Sequence, residues 1–90
     1  MVWTILRYVR DKQKREVDFL VVRNRVPWFL VEVKMSETRL SPSLAYFQGQ
    51  TAAPHAFQVV LDLPYEAVDC FSVTKRPVVV PARTFLSQLL

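Results

Sequence analysis

The strongest constraint on the fold of this chain is a pair of apolar runs, Val17-Asp18-Phe19-Leu20-Val21-Val22-Arg23 and Trp28-Phe29-Leu30-Val31-Glu32-Val33-Lys34-Met35, parted by Asn24-Arg25-Val26-Pro27. Both runs have strand length and are rich in β-branched and aromatic residues, and the stretch between them is turn-like, which is the pattern of a β-hairpin. Alternation sets Val17, Phe19 and Val21 on one face of the first run and Asp18, Leu20 and Val22 on the other. In the second run it sets Phe29, Val31 and Val33 against Trp28, Leu30, Glu32 and Lys34. Strands apolar on both faces belong mid-sheet, with cover on both sides. The charges Asp18, Glu32 and Lys34 stand out because such strands should be dry.

The remaining elements fall around this hairpin. Val2 to Val9, without Gly or Pro, reads as a preceding strand, and the charge run Arg10 to Glu16 as the exposed tip joining it to the next. Ser36 to Leu40 is a polar connection. Ser41 is a natural helix cap with Pro42 at the first helical position, and Leu44, Phe47 and Leu40 supply the apolar side of a helix that ends near Gly49. Gln48 and Gln50 are polar positions on it. Thr51 to His55 is a loop, Ala56 to Asp62 a fourth strand, and Leu63 to Lys75 irregular chain with one turn of helix. Pro77 to Pro81 is an extended edge segment, and Ala82 to Leu90 an amphipathic helix that docks on the sheet through Phe85, Leu86, Leu89 and Leu90. The sum is an α/β arrangement in one domain, residues 1–90.

Composition narrows the chemistry. A chain of 90 residues buries only about 60–65% of the surface it exposes when unfolded, so its stability margin is thin. Its one cysteine, Cys70, cannot form an internal disulfide, and its one histidine, His55, rules out a Cys/His metal cage within the chain. A reducing, cytoplasmic setting is expected. No apolar run approaches a membrane span or a signal peptide. Residues 1–40 hold nine Lys/Arg and five Asp/Glu and residues 41–90 three of each, so the excess charge of +4 lies in the hairpin half and permits a polyanionic partner. Gly49 is the only glycine, which excludes a Gly-rich phosphate loop and ATP hydrolysis by that route. Ser41, Ser43, His55 and Cys70 lack the context of a catalytic triad. Trp3 and Trp28 read as core residues rather than base-stacking platforms.

The hairpin register decides what the three charges do. Residues opposite one another in an antiparallel pair share a face, with Cβ atoms roughly 4.5–5.5 Å apart. A three-residue loop sets Asp18 opposite Glu32 and a loop two residues longer sets it opposite Lys34, all three on one face. An even loop moves Asp18 to the face of Val31 and Val33, and a bulge can do the same. Two carboxylates on a partly apolar face repel each other and resist desolvation unless a cation or a shared proton relieves them. Oxygen ligands alone favour Mg²⁺ or Mn²⁺, held by one or two carboxylates with waters and phosphate oxygens. The Lys34 ammonium, two residues beyond Glu32, could then orient the attacking water and stabilise charge developing on a phosphate. An ordinary acid–lysine pair on the wet end of a sheet is the plain alternative.

Asp18 followed by Glu32-Val33-Lys34 at the end of an apolar strand resembles the acid…(Asp/Glu)-x-Lys signature of the PD-(D/E)xK, restriction-endonuclease-like nuclease superfamily. The wider text Tyr8-Val9-Arg10, Arg15-Glu16-Val17-Asp18-Phe19 and Val31-Glu32-Val33-Lys34, with the closing Val80-Pro81-Ala82, Phe85-Leu86 and Leu89, is similar to the nuclease-like domain at the C-terminus of many prokaryotic AAA-type ATPases. The resemblance implies a restriction-endonuclease-like mixed sheet with a central antiparallel hairpin, one helix after the third strand and a C-terminal helix. It implies metal binding by Asp18 and Glu32, the catalytic lysine role for Lys34, and Mg²⁺- or Mn²⁺-dependent hydrolysis of DNA. Glu16 matches a family position as a candidate outer ligand, and Gln48 could approach the site from the helix after the third strand. The superfamily's opening helix has no counterpart here. That implies a C-terminal fragment of an ATPase-linked protein, or cover by another chain or by the C-terminal helix. The competing expectation is a non-catalytic interaction module that associates with itself, or with an ATPase portion, through the face so exposed.

Overall fold

Two consecutive hairpins build one half of the sheet. In the computed structural model, which describes residues 3–13 and 15–89, β1 (Trp3–Arg10), β2 (Glu16–Arg23) and β3 (Val26–Lys34) run antiparallel in turn. Helix α1 (Pro42–Thr51) returns the chain to β4 (His55–Val60), parallel to β3. A 3₁₀ turn at Cys70–Ser72 leads to β5 (Pro77–Pro81), parallel to β4, and α2 (Ala82–Leu89) follows. The spatial order is β1-β2-β3-β4-β5, so the protein is a small α/β domain with a mixed five-stranded sheet and two helices. Val2, Lys14 and Leu90, expected in the first strand, the hairpin tip and the last helix, lie outside the described residues, as does the side chain of Trp3. Among the described residues no helix is long and apolar enough to cross a membrane.

The β2–β3 register comes about in an unexpected way. Arg23 pairs with Val26 and Val22 with Pro27, which leaves a two-residue turn, Asn24-Arg25. Their φ angles are 53° and 68°, both positive as a type I′ hairpin turn requires. An even turn alone would set Asp18 opposite Val31. The register then shifts between Val21 and Val22 to Val21↔Phe29, Leu20↔Leu30 and Phe19↔Val31, so Trp28 is the extra residue of a β-bulge. The bulge reverses the parity set by the turn, and the paired ladder ends at Phe19 and Val31, one residue short of Asp18 and Glu32. Trp28 is turned toward the core side of Phe29, stacked on Phe71 at 5.4 Å with the Arg23 guanidinium 4.2 Å from its ring.

Both faces of the hairpin are covered, as the two apolar sets require. On one face Val21, Phe29, Val31, Phe57, Val59 and Val80 pack with Phe85 of α2 and with Phe71. On the other, Val17, Leu20, Leu30 and Ala56 pack with Leu44 and Phe47 of α1, and the larger of these side chains are each worth roughly 1.5–3 kcal/mol when buried. Val17 departs from strict alternation by joining Leu20 rather than Phe19 and Val21, and the break falls at Asp18, whose carboxylate bonds the backbone of β3.

The helices end differently from the expected pattern. Ser41 caps α1, accepting from Ser43 N at 3.3 Å, with Pro42 as the first helical residue. Gly49 does not stop the helix. Thr51 Oγ1 donates to Phe47 O at 2.7 Å and accepts from Ala53 N at 3.3 Å, satisfying terminal backbone groups two residues later. Ala52 takes the left-handed position, φ 58°, where glycine would be the easier residue. Leu40 lies exposed ahead of the helix, whereas Gln48 is buried among the apolar positions. In α2, Phe85 is the buried anchor, but Leu86 and Leu89 stay exposed and border an apolar groove of about 350 Å³ together with Ile5, Phe19, Val33 and Leu61. The polar side of α2 holds the irregular chain before β5. Thr84 Oγ1 accepts from Glu66 N at 2.8 Å and donates to Glu66 O at 2.9 Å, and Gln88 accepts from Cys70 N at 2.8 Å and donates to Val68 O.

Candidate metal and phosphate site

Near the ends of β2 and β3 the Glu32 carboxylate faces the Lys34 ammonium, and the Asp18 carboxylate bonds the backbone amide of Val33 between them in sequence. Asp18 Oδ2 accepts from Val33 N at 2.8 Å, so the side chain stands in for a ladder partner beyond the last paired residues, Phe19 and Val31. This fixes the Asp18 carboxylate against the backbone between Glu32 and Lys34. Glu32 points to the α1 side of the sheet and is 8% exposed. Its Oε2 is buried without a hydrogen-bond donor, and the Lys34 ammonium stands 4.0 Å away, within ion-pair range but beyond a hydrogen bond.

An orphaned carboxylate oxygen at that depth is rare, because buried polar atoms nearly always find a partner and an unrelieved buried charge costs several kcal/mol. The Lys34 ammonium at 4.0 Å offsets that charge in part, a hard cation would offset it further, and the donor set is one such a cation accepts: carboxylate oxygens only, with no soft ligand. Among the described residues no group of three or more His, Cys, Asp and Glu side chains gathers. Two carboxylates do not make an all-protein Ca²⁺ cage, but they match the sparse ligation of Mg²⁺ or Mn²⁺, which keep several waters.

The β3–α1 connection closes one side of this region through Gln58. In the parallel β3–β4 register Gln58 is the partner of Glu32 and shares its face. It is completely buried in a strand that is otherwise almost entirely apolar. Its Oε1 accepts from Ser41 N at 2.8 Å, and its Nε2 donates to Glu37 O and Arg39 O, each at 2.9 Å. Glu37 Oε1 accepts from Arg39 N at 2.9 Å. The loop so held and Lys34 enclose a recess of about 310 Å³, with Arg39 and Pro42 on its wall. Two further bonds, Leu61 N to Lys34 O and Asp62 N to Met35 O at 2.9 Å, pin the end of β3 to the chain leaving β4.

The two accessory candidates lie apart from this cluster. Glu16 is the cross-strand partner of Arg10 and forms a 2.9 Å ion pair with it at the exposed start of β2. Gln48 donates through Nε2 to Ala53 O at 3.2 Å, at the opposite end of α1 from Ser41, and lines a separate concavity with Thr74, Lys75 and Arg76. Gln58 was not singled out by sequence patterning. The signal that marks it is a lone amide inside Ala56-Phe57-Gln58-Val59-Val60, since an amide in a dry strand must be fully bonded. No family model, curated protein or solved structure matches this chain.

Proposed function

We propose that the domain is a divalent-metal-dependent nuclease that hydrolyses DNA phosphodiester bonds, built on the restriction-endonuclease-like plan of the PD-(D/E)xK superfamily. The observation that carries this reading is the buried Glu32 Oε2, without a hydrogen-bond donor and 4.0 Å from Lys34, with the Asp18 carboxylate held on the backbone amide of the following residue, Val33. Asp18 and Glu32 would hold Mg²⁺ or Mn²⁺, which supplies Lewis acidity and lowers the pKa of water. The Lys34 ammonium, half-exposed, orients the attacking water and balances the negative charge that grows on the phosphate oxygens. Val33 N holds the Asp18 carboxylate in place through its 2.8 Å bond, so that ligand is fixed before substrate arrives. Incubation of plasmid DNA with the protein and Mn²⁺, beside Asp18→Ala, tests the proposal. Metal-dependent nicking that the variant loses supports it, and equal cleavage by both proteins sinks it.

A second reading is favoured by the apolar groove between α2 and β1–β3. Ile5, Leu61 and Leu86 are each about half exposed or more on that side, an arrangement suited to self-association. On this reading the three charges are a structural cluster and the domain is a dimerisation module. Sedimentation combined with Mn²⁺ calorimetry separates the two: a dimer that takes up no metal favours the module, and a metal-binding monomer the nuclease.

A further inference from the structure

We infer that Gln58 is a positioning residue of this site, holding the Glu37–Ser41 loop so that Arg39 and Lys34 face one recess that receives the backbone phosphates of a polynucleotide. The inference rests on the nuclease reading and deepens it. Three features carry it. Gln58 is completely buried, and its three hydrogen bonds all go to one loop. That loop joins the strand bearing Glu32 and Lys34 to α1, and its Arg39 lines the same recess as Lys34, together with Glu37, whose carboxylate is turned back to accept from Arg39 N at 2.9 Å. Gln58 is also the direct cross-strand partner of Glu32, so the carboxylate and the loop are referenced to a single point on β4.

The alternative role for a buried amide is to tie down a loop for stability alone. An apolar residue with a shorter connection would do that without burying two polar groups. What the amide adds is a fixed path for residues 37–41. Its two donors take the carbonyls of Glu37 and Arg39, two residues apart, and its acceptor takes the Ser41 amide at the helix cap, so every second residue of the loop is held from one side. Arg39 is thereby left exposed on a constrained backbone. A guanidinium on a constrained loop binds phosphate with less ordering entropy to lose than one on a free loop.

The test compares wild type, Gln58→Leu, Arg39→Ala and the double variant, with circular dichroism confirming that each is folded at the assay temperature. Mn²⁺ affinity is read by calorimetry and cleavage of a short duplex by steady-state kinetics. Either single substitution is expected to raise KM about tenfold, the equivalent of ordering one or two side chains on binding, with Mn²⁺ affinity and kcat within about twofold of wild type. The double variant should do no worse than the more impaired single one, because Gln58 acts through Arg39. A purely structural amide would lower the melting temperature and leave KM unchanged, or would impair KM additively with Arg39→Ala, and either result overturns the inference. Arg39→Ala is an exposed substitution, so an unchanged KM in that variant overturns it even where Gln58→Leu does not fold. Wild-type protein that neither binds Mn²⁺ nor cleaves overturns the nuclease reading and the inference with it, whereas a normal wild type with an unchanged KM in the variants overturns the inference alone.

Discussion

The two faces of the sheet are made by the same strands and differ in kind. Toward α2, β3 and β4 present Phe29, Val31, Phe57 and Val59, with Phe71 and Phe85 packed on them in edge and tilted ring contacts of 4.8–5.7 Å. Toward α1 the same strands present Leu30 and Ala56, then Glu32 and Gln58. One face is a hydrocarbon core left partly open as a groove, and the other a smaller core that grades into polar side chains. Within the polar part the contrast repeats. Gln58 is bonded at both ends of its amide, while Glu32 keeps one oxygen without a donor. The satisfied amide fixes the path of the Glu37–Ser41 loop, and the carboxylate beside it keeps an acceptor to spare.

The largest effect should come from the α2 face. Phe57→Ala removes a fully buried ring in contact with three other phenyl rings, which costs about 3–5 kcal/mol and is a large part of the stability of a domain this size. Leu44→Ala on the α1 face should cost about 2–4 kcal/mol, because fewer groups surround the cavity it leaves. Urea denaturation measures both, and a larger loss at Leu44 would mean that the main core lies on the side of the site.

The next prediction concerns the orphaned oxygen. Mn²⁺ at about a hundred times its dissociation constant should stabilise the wild type by about 2.7 kcal/mol, read as a rise in melting temperature. Glu32→Gln should abolish that rise. Without metal the variant should be no less stable than wild type, since the substitution removes a buried charge whose Oε2 lacks a hydrogen bond. A metal-free Glu32→Gln protein markedly weaker than wild type would show that the carboxylate is structural after all.

These faces were partly legible in the sequence. The apolar alternation of Phe19/Val21 and Phe29/Val31 against Leu20 and Leu30 marked the hairpin as covered on both sides, and the Ser41-Pro42 cap marked the start of α1. The register was not legible, because it depends on two features that offset one another. Asn24-Arg25 forms a tight turn despite lacking the usual glycine, and Trp28 bulges because its ring finds Phe71 and the Arg23 guanidinium. The stack on Phe71 is a contact with a distant part of the chain and leaves no local pattern. The extension of α1 past Gly49 likewise depends on the Thr51 hydroxyl, and the burial of Gln48 on the Ala53 carbonyl. Leu86 and Leu89 carried the spacing of a docking face, yet spacing does not say how far across a sheet a helix reaches.

The smallest effect lies off both faces, at the β1–β2 tip, and concerns the acid sensitivity of the fold. Asp11 Oδ1 accepts from Gln13 N and Arg15 N at 3.0 Å, and Oδ2 accepts from Arg15 Nε at 2.6 Å. Burial alone would raise its pKa. The Arg15 amide and guanidinium, with the Gln13 amide, outweigh burial and hold it below the ordinary 3.8. A carboxyl with a depressed folded pKa stabilises the native state fully above its unfolded value, and that contribution fades as pH falls through the lower folded value. Asp11→Asn keeps the shape of the loop and removes the charge. Thermal melts of metal-free protein should therefore show a constant gap between wild type and variant from neutral pH down to about pH 5, narrowing below about pH 4. A gap that keeps its width to the acid end would mean that Asp11 acts by its shape and not by its charge.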